Sequence, residues 1–243
     1  MTDTIVWITG GSSGIGAALA ASVPFDHARV IDISRSGGAS GTEHLPADLA
    51  DPSTWAAVEA HLHTQLGGFT GSRAVFIHCA ATLNPIGFAG EVESLAYQHS
   101  VLLNSAAPQV LGQAFLRASA GLECARYLLL ISSGVAKTPY EGWSSYCAGK
   151  AALDQWVLVA GAEQRRLPNC CFIFSINPGA VATRVQEQIR EVDERNFPAV
   201  EKFRELYTSG RLRSPKETAQ GIWGLIDDRD LKSGALVDLR KRS

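Results

Sequence analysis

The feature that most narrows what this chain can fold into is a rhythm. Apolar runs of strand length ("IVWIT", "ARVIDIS", "RAVFIHCAA", "RYLLLISS", "CCFIFSINPG", "GALVDL") alternate with longer stretches of helical period such as "DPSTWAAVEAHLHTQL" and "SSYCAGKAALDQWVLVAGAEQRR". The short runs are apolar throughout instead of at every second residue, the signature of a strand covered on both faces, and the stretches between them are long enough to be crossover helices. The pattern predicts an α/β fold: a doubly wound parallel sheet with helices on both faces. At 243 residues, with no repeat, no low-complexity tract and no Pro/Gly-rich linker, we expect a single domain over 1–243. From about Arg184 to Arg213 the rhythm breaks into a charged, weakly periodic insertion between a strand and a helix. Ligands of open α/β sheets bind beyond the carboxyl ends of the strands, so an insertion there is a candidate substrate lid.

A net charge of -2 and a pI near 6.3 leave no general pull toward nucleic acid or anionic membrane. The expected partner is a small molecule. No apolar run approaches the roughly 18 residues of a membrane span, and we expect a cytoplasmic location. Five cysteines (Cys79, Cys124, Cys147, Cys170, Cys171) show no C-x-x-C spacing, which predicts buried free thiols and no metal site.

Straight after the first strand comes "TGGSSGIG", Thr9 to Gly16. Gly10 lets the chain turn out of the strand, Gly14 lets backbone approach a pyrophosphate, and Gly16 lets the following helix pack closely. Ser12, Ser13 and Ile15 fill the loop between them. The start of a helix adds free N–H groups and positive dipole, so the loop is a candidate dinucleotide cradle of the Rossmann type.

Its spacing resembles the T-G-x-x-x-G-x-G signature of the short-chain dehydrogenase/reductase family. That family's other landmarks follow in order: "ADL" with Asp48 and Leu49, "LLNS" with Asn104, "ISSG" with Ser133, "SYCAGK" giving Y-x-x-x-K as Tyr146 and Lys150, and "NPGAVAT" giving P-G-x-x-x-T from Pro178 through Gly179 and Val181 to Thr183. The resemblance implies a nicotinamide cofactor, with Asp48 and Leu49 beside the adenine, Ala80 bordering the cofactor and Lys150 on the nicotinamide ribose. It also implies that Ser133 donates to the substrate oxygen and that Asn104 supports a proton-relay water.

The residue types suit that chemistry. Hydride transfer to a carbonyl needs a proton at the oxygen, and a tyrosine of pKa about 10 needs a nearby cation to serve near neutrality. Lys150, one helical turn after Tyr146, is on the same face. At the end of the second strand stand Ser34 and Arg35, with Asp32 too deep to reach a ribose. A hydroxyl with a guanidinium suits a 2′-phosphate, which favours NADP(H) over NAD(H).

One landmark departs. Where the family has N-N-A-G this chain has His78, Cys79, Ala80 and Ala81, which puts the tightness of that corner in doubt; His78 reads as a buried structural histidine. Within the family, "PYEGWSSYCAGK" and "QEQIR" resemble the sepiapterin-reductase-like branch and its benzil-reducing, (S)-benzoin-forming members. That implies reduction of one carbonyl of a vicinal dicarbonyl, with Tyr140, Trp143, Val185 and Ile189 as apolar walls. It also implies a homodimer or homotetramer. An alcohol dehydrogenase running in the oxidative direction and a non-enzymatic NADP(H) sensor of the same fold remain alternatives.

Overall fold

The computed structural model describes residues 3–38 and 40–242. Strands β1 (Thr4–Thr9), β2 (Ala28–Ser34), β3 (Glu43–Pro46), β4 (Arg73–His78), β5 (Ala125–Ile131), β6 (Phe172–Asn177) and β7 (Ala235–Asp238) form one sheet in the order β3-β2-β1-β4-β5-β6-β7. Every neighbouring pair is parallel. The chain runs outward from β1 to β3 and then returns to β4 on the other side of β1. The carboxyl ends of β1 and β4 therefore open the crevice in which such folds bind ligands.

Alternate strand residues supply two cores. Trp7, Phe76, Leu128 and Ile173 pack with α2 (Trp55–Leu66), α4 (Ala107–Ala118) and α5 (Ser144–Gln164). Val6, Ile8, Val75, Ile77 and Phe174 face the opposite way, onto α1 (Gly14–Ala20) and α8 (Pro215–Trp223). Both strand faces are buried, which is why the runs are apolar without alternation. Helix α8 begins where Ser214 and Glu217 form a reciprocal capping box with Pro215 in the first turn, the local signal that closes the insertion.

The insertion folds as two helices, α6 (Arg184–Glu191) and α7 (Val200–Thr208). Its ends are tied together by a parallel bridge: the Ala182 N–H donates to the Arg213 carbonyl at 2.8 Å, and the Arg213 N–H to the Ala180 carbonyl at 2.9 Å. Ile189, Phe197, Val200 and Phe203 form a third apolar cluster with Leu83, Val135 and Trp143. Phe197 is fully buried, its ring stacked on Trp143 with centroids 4.2 Å apart. Gly142, at φ +85°, makes the contact possible, because a Cβ there would lie 2.2 Å from the Asn196 carbonyl oxygen. The insertion thus carries a packed core of its own; Val185, 40% exposed, is the main apolar residue of α6 left outside it.

Candidate active site

The glycine loop leaves β1 with Gly10 and Gly14 at positive φ, +69° and +54°. A Cβ on Gly16 would stand 2.3 Å from the Gly10 carbonyl oxygen, so the turn closes only around glycine. Ser12 and Ser13 are exposed on its rim, and Ile15 packs beneath. The loop is held from behind by Thr9. Its hydroxyl accepts the N–H groups of Cys79 and Ala80, both at 3.1 Å, so its one proton goes to Nδ1 of His78, also 3.1 Å away. His78 is therefore the tautomer protonated at Nε2. Complete burial, with the Lys150 charge adding to it, pushes its pKa down to about 3. The corner whose tightness the sequence put in doubt is pinned by this Thr9–His78 link between β1 and β4. The cysteines are all free, but only Cys171 is buried; the other four are half-buried, a correction to the expected burial of all five.

Beyond the carboxyl end of β2, Asp48 and Leu49 line the cleft together with Ser34 and Arg35. Asp48 is held by the Ala50 N–H at 3.0 Å. Ser34 donates its hydroxyl proton to the buried carboxylate of Asp32 at 2.8 Å and accepts the Gly37 N–H at 3.2 Å. Its hydroxyl is thereby engaged on both sides where it lines the cleft beside Arg35. Arg35 is exposed on the cleft wall and makes no ion pair among the described residues.

Ser133 follows β5 and caps a short 3-10 turn, its Oγ accepting the Val135 N–H at 3.4 Å. The first turn of α5 brings the Tyr146 phenol up beside Ser133, near enough for the serine hydroxyl to favour its ionised form. Lys150, only 2% exposed, donates from Nζ to the Ile131 carbonyl at 2.7 Å and lies 5.7 Å from the centre of the Tyr146 ring. Desolvation dominates both groups. It pushes Tyr146 up to about 12, against the lowering effect of Ser133. It pulls Lys150 down to about 8, against the opposing influence of Cys79 and Asp154. The phenol is thus held protonated instead of ionised by the lysine, a difference from the sequence expectation that follows from burial.

Asn104 stands one layer back, in a π-helical segment over Leu102–Ala106 that joins α3 (Ser94–Val101) to α4. Its carboxamide clamps Thr82, accepting the Thr82 N–H at 3.0 Å and donating to the Thr82 carbonyl at 2.8 Å. A Cβ on Gly149 would lie 2.8 Å from its own Cβ, so Asn104 sits directly against the helix turn between Tyr146 and Lys150. It does not line the cleft itself.

After β6, Pro178, Gly179, Val181 and Thr183 complete the wall, with the Thr183 methyl 3.3 Å from where a Gly14 Cβ would be. One continuous cleft of about 1870 Å³ joins the glycine loop, Ala80, the Ser133–Tyr146–Lys150 group and the insertion. Pockets for a single small ligand run to roughly 1,000 Å³, so this one has room for a dinucleotide and a second molecule together. The residues present fit a nicotinamide dinucleotide: a glycine turn closed to side chains, exposed loop hydroxyls, and an exposed guanidinium, Arg35, that makes no ion pair among the described residues. Sequence reasoning missed Gln186 and the cleft-facing Lys202, whose Nζ donates to the Tyr140 hydroxyl at 2.6 Å. The "QEQIR" pattern held Gln186 in plain view, but nothing in it distinguished a cleft residue from a solvated one. Among the described residues there is no metal-binding cluster and no helix long and apolar enough to cross a membrane.

The family model described as short chain dehydrogenase matches residues 4–194. Among curated proteins, the chain is 31% identical over 237 residues to the benzil reductase ((S)-benzoin forming) of Bacillus subtilis, covering 96% of this chain and 97% of that one. It is 32% identical over 171 residues to the sepiapterin reductase of Mus musculus, covering 68% and 63%. Among solved structures, a short chain dehydrogenase/reductase from Saccharomyces cerevisiae superposes with a TM-score of 0.82 at 19% identity, covering 97% of this chain and 96% of that one.

Proposed function

This chain belongs to the short-chain dehydrogenase family, and on that premise we propose that it is an NADPH-dependent carbonyl reductase acting on one carbonyl of a vicinal dicarbonyl such as benzil. The observation that carries the reading is the grouping of Ser133, Tyr146 and Lys150 on one wall of a cleft whose far end is the glycine loop. A nicotinamide bound there would supply the hydride. Tyr146, protonated through neutrality, gives its proton to the substrate oxygen, and Ser133 hydrogen-bonds the same oxygen. Lys150 holds the nicotinamide ribose and lends positive charge as the phenol loses its proton. Asn104 keeps the Thr82 segment against the site and supports a relay water for Lys150. A phenol raised by burial suits proton donation, hence reduction, better than alcohol oxidation.

Gly10, Gly14 and Gly16 receive the pyrophosphate with Ser12, Ser13 and Ile15; Asp48, Leu49 and Ala80 border the adenosine and ribose; Pro178, Gly179, Val181 and Thr183 border the nicotinamide. Arg35 reads the 2′-phosphate. The 184–213 insertion encloses the substrate, and subunits pair as homodimers or homotetramers. The relative at 31% identity over nearly its whole length, a benzil reductase, supports the substrate class. The test is loss of nicotinamide absorbance when benzil is added with NADPH or with NADH. Turnover to benzoin that prefers NADPH is expected; no turnover on any vicinal diketone would overturn the substrate class, and equal use of NADH would overturn the cofactor choice.

A further inference from the structure

Among the described residues, three buried polar groups on the cleft wall have no hydrogen-bond partner: Ser132 Oγ, Trp143 Nε1 and Gln186 Oε1. Buried polar groups in folded proteins are nearly always paired, and the partner missing at a cleft wall is supplied by what binds there. Ser132 adjoins Ile131, whose carbonyl holds Lys150, and so belongs to the cofactor end. The Trp143 indole is fixed by its stack on Phe197. Gln186 differs from both. It is 7% exposed, lies on the insertion, and none of its side-chain atoms makes a hydrogen bond among the described residues.

Its position is set by two neighbours. Thr183, whose carbonyl accepts the Gln186 N–H at 2.9 Å, lies beside Gly14. Ile189, one turn further along α6 on the same helix face, packs in the cluster that holds Trp143 and Tyr146. Gln186 therefore lines the cleft on the stretch of α6 between the residue beside the phosphate loop and the residue packed with the proton donor. Oε1 is an acceptor and suits a substrate hydroxyl, whereas a substrate carbonyl is taken by the Nε2 hydrogens of the same carboxamide, for which no partner is seen among the described residues.

We propose that Gln186 is a specificity-determining residue: its carboxamide donates from Nε2 to the second oxygen of the substrate, vicinal to the carbonyl held by Ser133 and Tyr146, and its Oε1 can accept from that oxygen once it is a hydroxyl. The inference rests on the carbonyl-reductase reading above and adds to it what selects a dicarbonyl over a simple ketone. In a vicinal diketone either carbonyl can approach Tyr146. A fixed partner for the other one favours a single orientation and so decides which carbonyl is reduced.

The test uses a matched pair, benzil and deoxybenzoin, which differ by one carbonyl oxygen replaced by two hydrogens, assayed with wild type, Gln186→Met and Gln186→Glu. Both variants keep the side-chain length; the first removes hydrogen bonding and the second replaces the donor with a carboxylate. The expected result is a fall of about tenfold in kcat/KM for benzil, the loss of one hydrogen bond, with deoxybenzoin within about twofold of wild type and NADPH affinity unchanged. Equal falls for both ketones, or weaker NADPH binding, would make Gln186 a structural or cofactor contact and overturn the proposal. So would unchanged selectivity in both variants. Failure of the wild-type enzyme on benzil is visible before any variant is made and would defeat the dicarbonyl reading itself.

Discussion

The two ends of the cleft are built by different means. The proposed dinucleotide end is built mainly from backbone, a glycine turn and strand ends, with a threonine hydroxyl that ties β1 to β4. The proposed substrate end is made of side chains from separated segments, with Tyr140 and Trp143 meeting Phe197 and Phe203 across more than fifty residues of sequence. Backbone geometry serves any ligand with the same phosphates, whereas packed side chains can be exchanged one at a time. The first end suits a shared cofactor and the second a variable substrate.

The sharpest way to break this division is at the point where the ends meet. Tyr146→Phe removes the proton donor but little cofactor contact, so turnover should fall by about a hundredfold or more while NADPH affinity, measured by fluorescence titration, stays nearly intact. Wild-type turnover in that variant would remove Tyr146 from the mechanism. A pH profile sharpens the same point. Lys150 titrates near 8, so reduction should decline above that pH as its positive charge is lost. Its effect on stability has the opposite sign. The folded pKa lies below the unfolded value of about 10.4, so the unfolded chain binds more protons between the two and stability from this residue rises with pH across that window. Parallel declines in rate and melting temperature above pH 8 would contradict it.

A change confined to the dinucleotide end comes next. Arg35→Ala deletes a charge-assisted contact of about 1.5–3 kcal/mol and should weaken NADPH by one to two orders of magnitude while hardly altering NADH. Equal losses would show that Arg35 does not read a 2′-phosphate. At the substrate end, Phe197→Ala opens a cavity against Trp143 and costs about 3–5 kcal/mol of local packing. Backbone hydrogen exchange should quicken across 184–213 and substrate KM should rise about tenfold, with NADPH affinity kept. If NADPH binding falls as far as substrate binding, the two ends are not separable.

The smallest effect concerns the corner between them. His78 is neutral in the fold with its pKa near 3, far below the unfolded value of about 6.5, so stability from this residue is complete above pH 6.5 and drains away toward pH 3. His78→Gln should flatten the acid limb of the melting temperature profile by at most one proton. An unchanged slope would place the acid sensitivity elsewhere.

The sheet was legible in the sequence, because short, continuously apolar runs between longer stretches of helical period suit strands covered on both faces, and so were the glycine loop and the Tyr146–Lys150 turn, because those depend on local spacing. Tertiary structure decided what depends on burial and on distant neighbours. It set the Ser34 hydroxyl against the buried Asp32 carboxylate. It used His78 where an asparagine was expected, through a hydroxyl 69 residues away. It raised Tyr146 by burial when the nearby lysine alone predicted lowering. It turned a charged, weakly periodic insertion into a packed half-site around Phe197 and left the Gln186 carboxamide without a partner on the cleft wall. Spacing along a chain fixes only what neighbours within a turn can see; desolvation and pairing are set by the residues the fold brings from elsewhere.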